Sequence, residues 1–197
     1  MMESKIIYFE KPGNVNTDEV LRIAAQRADE LGIKTVVVAS HTGKTGVKAV
    51  DVFKNQKIII VGHCVGFREE NVVEMIEEKR KIIEEKGGII QTATHVFGGA
   101  SRAMRQGDYG DGPGHTYVPG DISAATLKIF GAGMKVCIEV AAMAADAGLV
   151  RTDEEIIAMG GTGREGGGSD TALVLQPNNA HRIFDIKVKE ILCKPRL

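Results

Sequence analysis

Seven consecutive residues combine hydroxyl groups, a histidine and a lysine with two glycines, a pattern suited to binding an anion. They follow a Val-rich apolar run and precede a helical pattern, so their backbone N–H groups should lie at a helix N-terminus, which favours negative charge. Glycine would let a phosphate approach the backbone, and the hydroxyls would add donors. We therefore predict a phosphate-binding loop, the alternative being a turn that only caps the helix. The residues are Ser40, His41, Thr42, Gly43, Lys44, Thr45 and Gly46.

A second, glycine-dense segment covers residues 160–171 and follows another predicted strand. Glycines at this density allow left-handed backbone and close approach to a ligand, and the alternative is a flexible hairpin connection. We expect its arginine to reach an anion and its polar end to hold a hydroxyl or a ring nitrogen. The candidate binding residues here are Gly161, Thr162, Gly163, Arg164, Asp170 and Thr171, and Gly62 with His63 would complete the walls.

Three histidines each follow a different predicted strand, namely His41, His63 and His95. Ligands of open α/β sheets bind at the carboxyl ends of the strands, so the three side chains should gather at one edge. A hydrogen-bonding role toward a ligand is favoured over a three-histidine zinc site, since no local spacing requires zinc. The prediction is therefore a binding site without a metal.

A carboxylate, Glu139, interrupts a strongly apolar helical pattern, and Lys135 and Asp146 lie on nearly the same helical face. We expect these residues to form an exposed polar stripe. If the helix is covered instead, Glu139 becomes a candidate acid or ligand-orienting carboxylate.

Short apolar runs alternate with helical patterns along the chain, which is typical of βα units and a mainly parallel sheet. Strands are predicted at residues 5–9, 35–39, 57–61, 89–93, 155–159, 171–176 and 183–188, with at least one antiparallel strand at an edge. Helices are predicted at residues 17–31, 47–53, 69–86, 122–130 and 134–147, with a short one opening at residue 98.

Residues 98–120 form the least regular part of the sequence, and so long a loop inside a compact domain is usually functional or mobile. Arg102 and Arg105 could support an anion at the start of the short helix. Tyr109 and Tyr117 could belong to a lid over a ligand, to a disordered excursion or to a subunit contact. The sequence leaves these alternatives, and a homo-oligomer, open.

The 197 residues carry 25 basic and 26 acidic side chains, a net charge of -1. This balance argues against a nucleic-acid binder, and no apolar run reaches the roughly 18 residues that indicate a membrane span. The N-terminus lacks the pattern of a signal peptide, and the three cysteines form no C-x-x-C pair. We expect a single cytoplasmic domain over residues 1–197 whose partner is a small molecule.

The first loop matches the pattern [ST]-x-T-G-x-[ST], which resembles the phosphate loop of flavodoxins. In flavodoxins that loop holds the phosphate of FMN without needing a cationic side chain. A Walker A loop is excluded, because its earlier glycine position holds Val38.

Over nearly its whole length the chain also resembles the C-terminal alpha/beta domain of pyruvate kinase. One similar segment is VVVASHTGKTGVKAV, which corresponds to the strand, loop and helix that hold a phosphate of the sugar bisphosphate effector. The other is EEIIAMGGTGREGGGSDTALVLQP, which corresponds to the loop that holds the opposite end of the effector. The small stand-alone proteins called pyruvate kinase alpha/beta domain-like share an F-x-x-P-G pattern, a K-V-C-x-E phrase and a C-terminal Lys-Pro-Arg with this sequence.

The resemblance implies a three-layer α/β/α sandwich with a phosphorylated ligand at the carboxyl edge of its sheet. Stand-alone members are associated with FMN, so we expect FMN as the cofactor and leave a flavin-dependent oxidoreductase activity open. The aromatic residue that stacks on the effector in pyruvate kinase has no counterpart, since Thr162 is nearest, which argues against a sugar bisphosphate.

Two other functions compete with FMN binding. A non-catalytic sensor of a phosphorylated metabolite, such as a sugar phosphate, is the main alternative. A phosphatase or phosphotransferase is weaker, because only Asp170 and Asp121 could serve as metal-binding carboxylates. Pyruvate kinase activity is not expected, because the catalytic barrel alone takes about 250 residues.

Overall fold

The computed structural model describes residues 3–106, 118–162 and 167–196, with the backbone alone at residues 104–106. The strands are β1 (Ile7–Phe9), β2 (Thr35–Ala39), β3 (Lys57–Gly62), β4 (Ile89–Thr92), β5 (Ile156–Gly160), β6 (Thr171–Gln176) and β7 (Lys187–Pro195). The helices are α1 (Thr17–Leu31), α2 (Lys44–Val52), α3 (Glu77–Glu85), α4 (Gly99–Gln106), α5 (Pro119–Lys128) and α6 (Ala132–Asp146).

The seven strands form one sheet in the order β1-β7-β6-β5-β2-β3-β4. β2 pairs in parallel with β3 and β5, β3 pairs in parallel with β4, and β1 pairs in parallel with β7. β6 is antiparallel to both of its neighbours. The predicted α/β fold is confirmed, but the antiparallel strand lies inside the sheet, because β7 and β1 extend the sheet beyond it.

Helices cover both faces of the sheet. Successive strand residues point to opposite faces, so Val36 and Val38 contribute to one core and Val37 to the other. The first core is covered by α1, α2 and α3, and the second by α5 and α6. The three-layer α/β/α sandwich is therefore confirmed.

The predicted helix over residues 69–86 is wrong in its first half, since α3 begins only at Glu77. Asn71 has a left-handed backbone (φ 63°) and Ile76 an extended one, and both conformations interrupt a helix. The residues before α3 form a loop that brings Glu74 back to His63 at the end of β3. The many charged residues of this segment suit an exposed loop as well as an exposed helix.

The predicted strand over residues 183–188 is also wrong. Ala180–Asp185 forms a 3-10 helix, and β7 begins at Lys187. The carboxylate of Asp146 accepts hydrogen bonds from the Asn179 side chain and the Ala180 backbone N–H, at 3.1 and 3.0 Å. These two bonds fix the start of the 3-10 helix, and a short apolar run does not reveal them.

The irregular region over residues 98–120 contains more helix than the sequence predicts. The short helix expected there is α4, and α5 begins at Pro119, where proline suits the first helical turn. Residues 107–117, with the two tyrosines proposed as a lid, lie outside the described residues. The remaining predicted elements agree with the structure to within a few residues.

The α6 helix is buried along most of its length, so the predicted exposed stripe is wrong at Glu139, which is only 3% exposed. Its carboxylate pairs with Lys135 and accepts the Phe97 N–H at 3.3 Å. Asp146, at the end of the helix, is exposed. Within the described ranges, no helix is long and apolar enough to cross a membrane.

We predict that Gly133→Ala destabilises the fold. A Cβ at this position would lie 2.1 Å from the Thr171 hydroxyl oxygen and 2.7 Å from Asp170 Oδ1, two groups that are fully buried and bonded to each other. The overpacking should lower the free energy of unfolding by about 1–3 kcal/mol in urea denaturation.

Gly62→Ala is the control for this prediction. The nearest neighbour of its added Cβ would be 3.7 Å away, an ordinary contact. Alanine in a strand should leave the protein as stable as before or more stable by up to about 1 kcal/mol. Equal effects of the two substitutions would show that α6 does not pack against β6 as described.

Candidate functional site

Four parallel strands end at the same edge of the sheet, because β4, β3, β2 and β5 are neighbours that run in one direction. The loops that follow them carry the predicted phosphate loop, His63, His95 and Gly161. β6 runs the other way, so it starts at this edge, with Thr171 paired to Gly160. The sheet therefore collects segments that are up to 130 residues apart in sequence, from Ser40 to Asp170.

A cavity of about 110 Å³ lies at this edge. Eight predicted binding residues line it, namely Ser40, His41, Thr42, Lys44, Thr45, Gly62, His63 and Gly161. Further lining residues include His95, Glu139, Gly167 and Gly168. The structure does not bring Gly43, Gly46, Thr162, Asp170 or Thr171 into the lining, and Gly163 and Arg164 lie outside the described residues.

The start of α2 presents hydrogen-bond donors to the cavity. The Ser40 hydroxyl oxygen accepts the Gly46 N–H at 3.1 Å, which satisfies one of the free donors of the first helical turn. Among the described residues, the backbone N–H groups of Lys44 and Thr45 and the hydroxyls of Thr42 and Thr45 have no hydrogen-bond partner. These donors remain available for an anion.

Two glycines of this loop have packing roles. Gly43 caps α2 in the left-handed region (φ 86°), and a Cβ there would lie 2.8 Å from both Met75 Sδ and Lys79 Cβ. At Gly46 a Cβ would lie 2.8 Å from Ile83 Cδ1. Both positions therefore let α2 approach α3 and Met75 just before it, which keeps the loop in place behind the cavity.

Asp170 and Thr171 bond within the protein. The Asp170 carboxylate is fully buried and accepts the Gly13 N–H at 2.9 Å and the Thr171 hydroxyl at 2.8 Å. These bonds tie the segment before α1 to the start of β6. The structure thus gives this pair an architectural role at the place where the sequence predicts ligand contacts.

The end of the glycine-dense segment packs directly against the predicted phosphate loop. Gly167 has a left-handed backbone (φ 84°), and a Cβ there would lie 3.0 Å from His41 Cε1. The Gly168 backbone likewise approaches Asn14, where a Cβ would lie 2.5 Å from Asn14 Cα. Larger side chains would displace the loop, so these positions shape one wall of the cavity.

The three histidines meet in the cavity wall, as the sequence predicts. The rings of His41 and His63 stack at 5.0 Å with an interplanar angle of 13°, and His95 meets His63 edge to face at 4.9 Å. Phe67 packs against His63 at 4.2 Å. Within the described residues no set of three or more His, Cys, Asp and Glu side chains is placed to hold a metal, and stacked rings do not converge their nitrogens on one point.

Glu74 links two basic groups beside the cavity. One carboxylate oxygen contacts Nδ1 of His63, and the other lies 3.1 Å from Nε of Arg68. The Glu74 side chain is only 12% exposed. The arrangement orients the His63 ring and leaves its other nitrogen, Nε2, without a described partner.

The family model described as Pyruvate kinase, alpha/beta domain matches residues 18–175. The chain belongs to this family. Among solved structures it is similar to Cryptosporidium parvum pyruvate kinase in complex with ADP, with 14% sequence identity and a TM-score of 0.37. That match covers 87% of this chain and 23% of the pyruvate kinase, so the chain spans about a quarter of the length of that enzyme.

Sequence reasoning missed two contributors to the site of this alpha/beta domain. The sequence pattern predicts a helix at Glu74, whereas the left-handed turn at Asn71 lets this residue reach His63. Gly167 was grouped with a loop whose contacts depend on the fold. A carboxylate eleven residues from a histidine carries no pattern that predicts such a contact.

The cavity histidines favour the neutral form at neutral pH. Burial lowers the pKa of His41, His63 and His95, and a neighbouring positive or titratable group lowers each pKa further. Glu74 raises the pKa of His63 and Glu139 raises that of His95, but neither carboxylate outweighs burial. The imidazoles therefore act as neutral donors and acceptors.

We predict that the protein loses stability as the pH falls below about 6.5, the ordinary histidine pKa. The three lowered pKa values mean that the unfolded chain binds more protons than the folded one in this range, so the free energy of unfolding decreases with acidification. Thermal melting across pH 5 to 8 should show this, and His41→Asn should reduce the slope. A flat profile that His41→Asn leaves unchanged would contradict burial of neutral rings.

Proposed function

We propose that this alpha/beta domain binds a phosphorylated small molecule, FMN, with its phosphate at the start of α2. The main support for this proposal is that several hydrogen-bond donors without a partner lie at one cavity. Backbone N–H groups of Lys44 and Thr45 and the hydroxyls of Thr42 and Thr45 have no hydrogen-bond partner among the described residues. A phosphate oxygen can accept several such bonds at a helix N-terminus.

The charges around the cavity also favour an anion. Lys44 lies at the loop itself, whereas each nearby carboxylate is already paired, Glu139 with Lys135 and Glu74 with Arg68. The neutral histidines add donors without adding repulsion. An incoming phosphate would therefore meet no unpaired carboxylate among the described residues that line the cavity.

The cavity suits the phosphate better than it suits a whole flavin. Its volume of about 110 Å³ is below the roughly 300–1,000 Å³ of typical small-molecule pockets. The ribityl chain and ring of FMN would extend past Gly161 and Thr162, and the sequence predicts further contacts from Gly163 and Arg164, which lie outside the described residues. When bound, FMN supplies electron-transfer or hydride-transfer chemistry.

The alternative proposal is a sensor of a phosphorylated metabolite such as a sugar phosphate. The small volume of the cavity favours this candidate, since a compact ligand would fill it without a flat ring site. Direct comparison of FMN with ribose 5-phosphate in one titration distinguishes the two. Binding of the sugar phosphate alone would replace the flavin proposal.

We predict that the double substitution Thr42→Val with Thr45→Val weakens FMN binding. Valine keeps the shape of threonine and removes one hydrogen-bond donor at each position. Since a hydrogen bond to a charged group contributes about 1.5–3 kcal/mol, the Kd should rise at least about tenfold in a flavin fluorescence titration.

Thr126→Val is the matched control, because this hydroxyl bonds within α5 to the Ile122 carbonyl, away from the cavity. Its Kd should equal that of the unchanged protein. Unchanged FMN affinity in the double variant would show that the phosphate lies elsewhere, and absence of FMN binding to the unchanged protein would contradict the proposed ligand.

A further inference from the structure

His63 differs from the other two cavity histidines by having a carboxylate partner. Its Nδ1 contacts Glu74, whereas the rings of His41 and His95 contact other rings and make no hydrogen bond to a described residue. A carboxylate at Nδ1 selects the neutral tautomer that carries its proton on Nδ1. The lone pair then resides on Nε2, on a ring that lines the cavity.

The pair is held in place from both ends. Arg68 contacts the second oxygen of Glu74 at 3.1 Å, so the carboxylate is oriented before any ligand arrives. The His63 ring contacts the stacked ring of His41 and the ring of Phe67, and the guanidinium of Arg102 lies 4.2 Å from the centre of the Phe67 ring. Such a chain of base, orienting carboxylate and supporting group is the arrangement that activates bases in hydrolases.

We propose that His63 and Glu74 form a proton-transfer dyad that acts on the ligand held by the phosphate loop. His63 Nε2 takes a proton from an O–H of that ligand. The electron pair of the broken bond stays on the ligand, and the new N–H bond makes an imidazolium that Glu74 stabilises. Return of the proton regenerates the neutral ring, so no other reactant is consumed. The inference rests on the proposed phosphate site.

The surrounding charges are compatible with this role. His63 also faces His41 and His95, and Lys44, Arg68 and Arg102 lie around the cluster. Burial lowers the pKa of His63, which keeps the ring unprotonated and ready to accept at neutral pH. Glu74 opposes that effect, so its removal should lower the basicity of Nε2 further. In this arrangement Glu74 is a positioning residue, and His63 is the group that contacts the ligand.

Acylation of histidine by diethyl pyrocarbonate tests the dyad, because only an unprotonated ring nitrogen reacts. Peptide mass spectrometry would give the rate at His63 and, as an internal reference, at the exposed His181. The Glu74→Gln amide can donate to Nδ1 and move the ring proton to Nε2. We expect the His63 rate to fall by about tenfold relative to His181, in line with the loss of a charge-assisted hydrogen bond. Glu70→Gln, at an exposed carboxylate of the same loop, is the control and should change neither rate.

NMR of the unchanged protein with ¹⁵N-labelled histidine provides a test that does not depend on a folded variant. The dyad requires His63 to be neutral at pH 7 with its proton on Nδ1. A proton on Nε2, or equal acylation rates in the Glu74→Gln and Glu70→Gln variants, would overturn the proposal.

Added FMN separates this inference from the proposed function. FMN that binds and slows acylation of His63 but not of His181 supports a ligand lying against Nε2. FMN that binds and leaves the His63 rate unchanged overturns the dyad and leaves the phosphate site standing. If FMN does not bind, the proposed ligand is wrong, and inorganic phosphate is then used in the same protection assay to decide on the dyad.

Discussion

The parallel pairing of β2 with β3 on one side and β5 on the other determines where everything else in the molecule lies. Parallel neighbours end at the same edge, so the loops after these strands must meet there. The antiparallel β6 begins at that edge, which returns the glycine-dense segment to the phosphate loop. Without this alignment, His41 and Gly167 would not be neighbours.

At this edge of the sheet, several hydrogen-bond donors have no partner among the described residues. The first turn of a helix leaves several N–H groups without an acceptor. In α2 the Ser40 hydroxyl oxygen accepts one of them, the Gly46 N–H. Gly43 and Gly46 let α2 pack closely without side chains that would cover the others. Asp170 stabilises the opposite wall through buried bonds to Gly13 and Thr171. The architecture thus separates residues that hold the site together from residues that remain available to a ligand.

The sequence predicts most of the fold because strong local signals agree with the tertiary structure. The bounds of α1 and β2 follow from a helical apolar face ended by Gly32 and from a continuous Val-rich run. The sequences of two loops predict membership of the pyruvate kinase alpha/beta domain family. The gathering of three histidines also follows, because each one terminates a different strand of a parallel sheet.

Features that depend on long-range contacts could not be predicted. The loop before α3 has the composition of an exposed helix. The bend at Asn71 is explained by a long-range contact, the one between Glu74 and His63. Glu139 has the sequence pattern of a surface residue, but in the structure α5 and Phe97 pack against α6 and Lys135 compensates its charge. Asp170 has a polar side chain suited to a ligand, yet its partner, Gly13, lies 157 residues away.

The central claim is that this edge binds a phosphorylated ligand, FMN. The most direct measurement is the visible absorption spectrum of the purified protein, combined with mass spectrometry of any small molecule that heat releases from it. A flavin spectrum and the mass of FMN are the predicted result. A colourless protein that takes up no added FMN would contradict the claim.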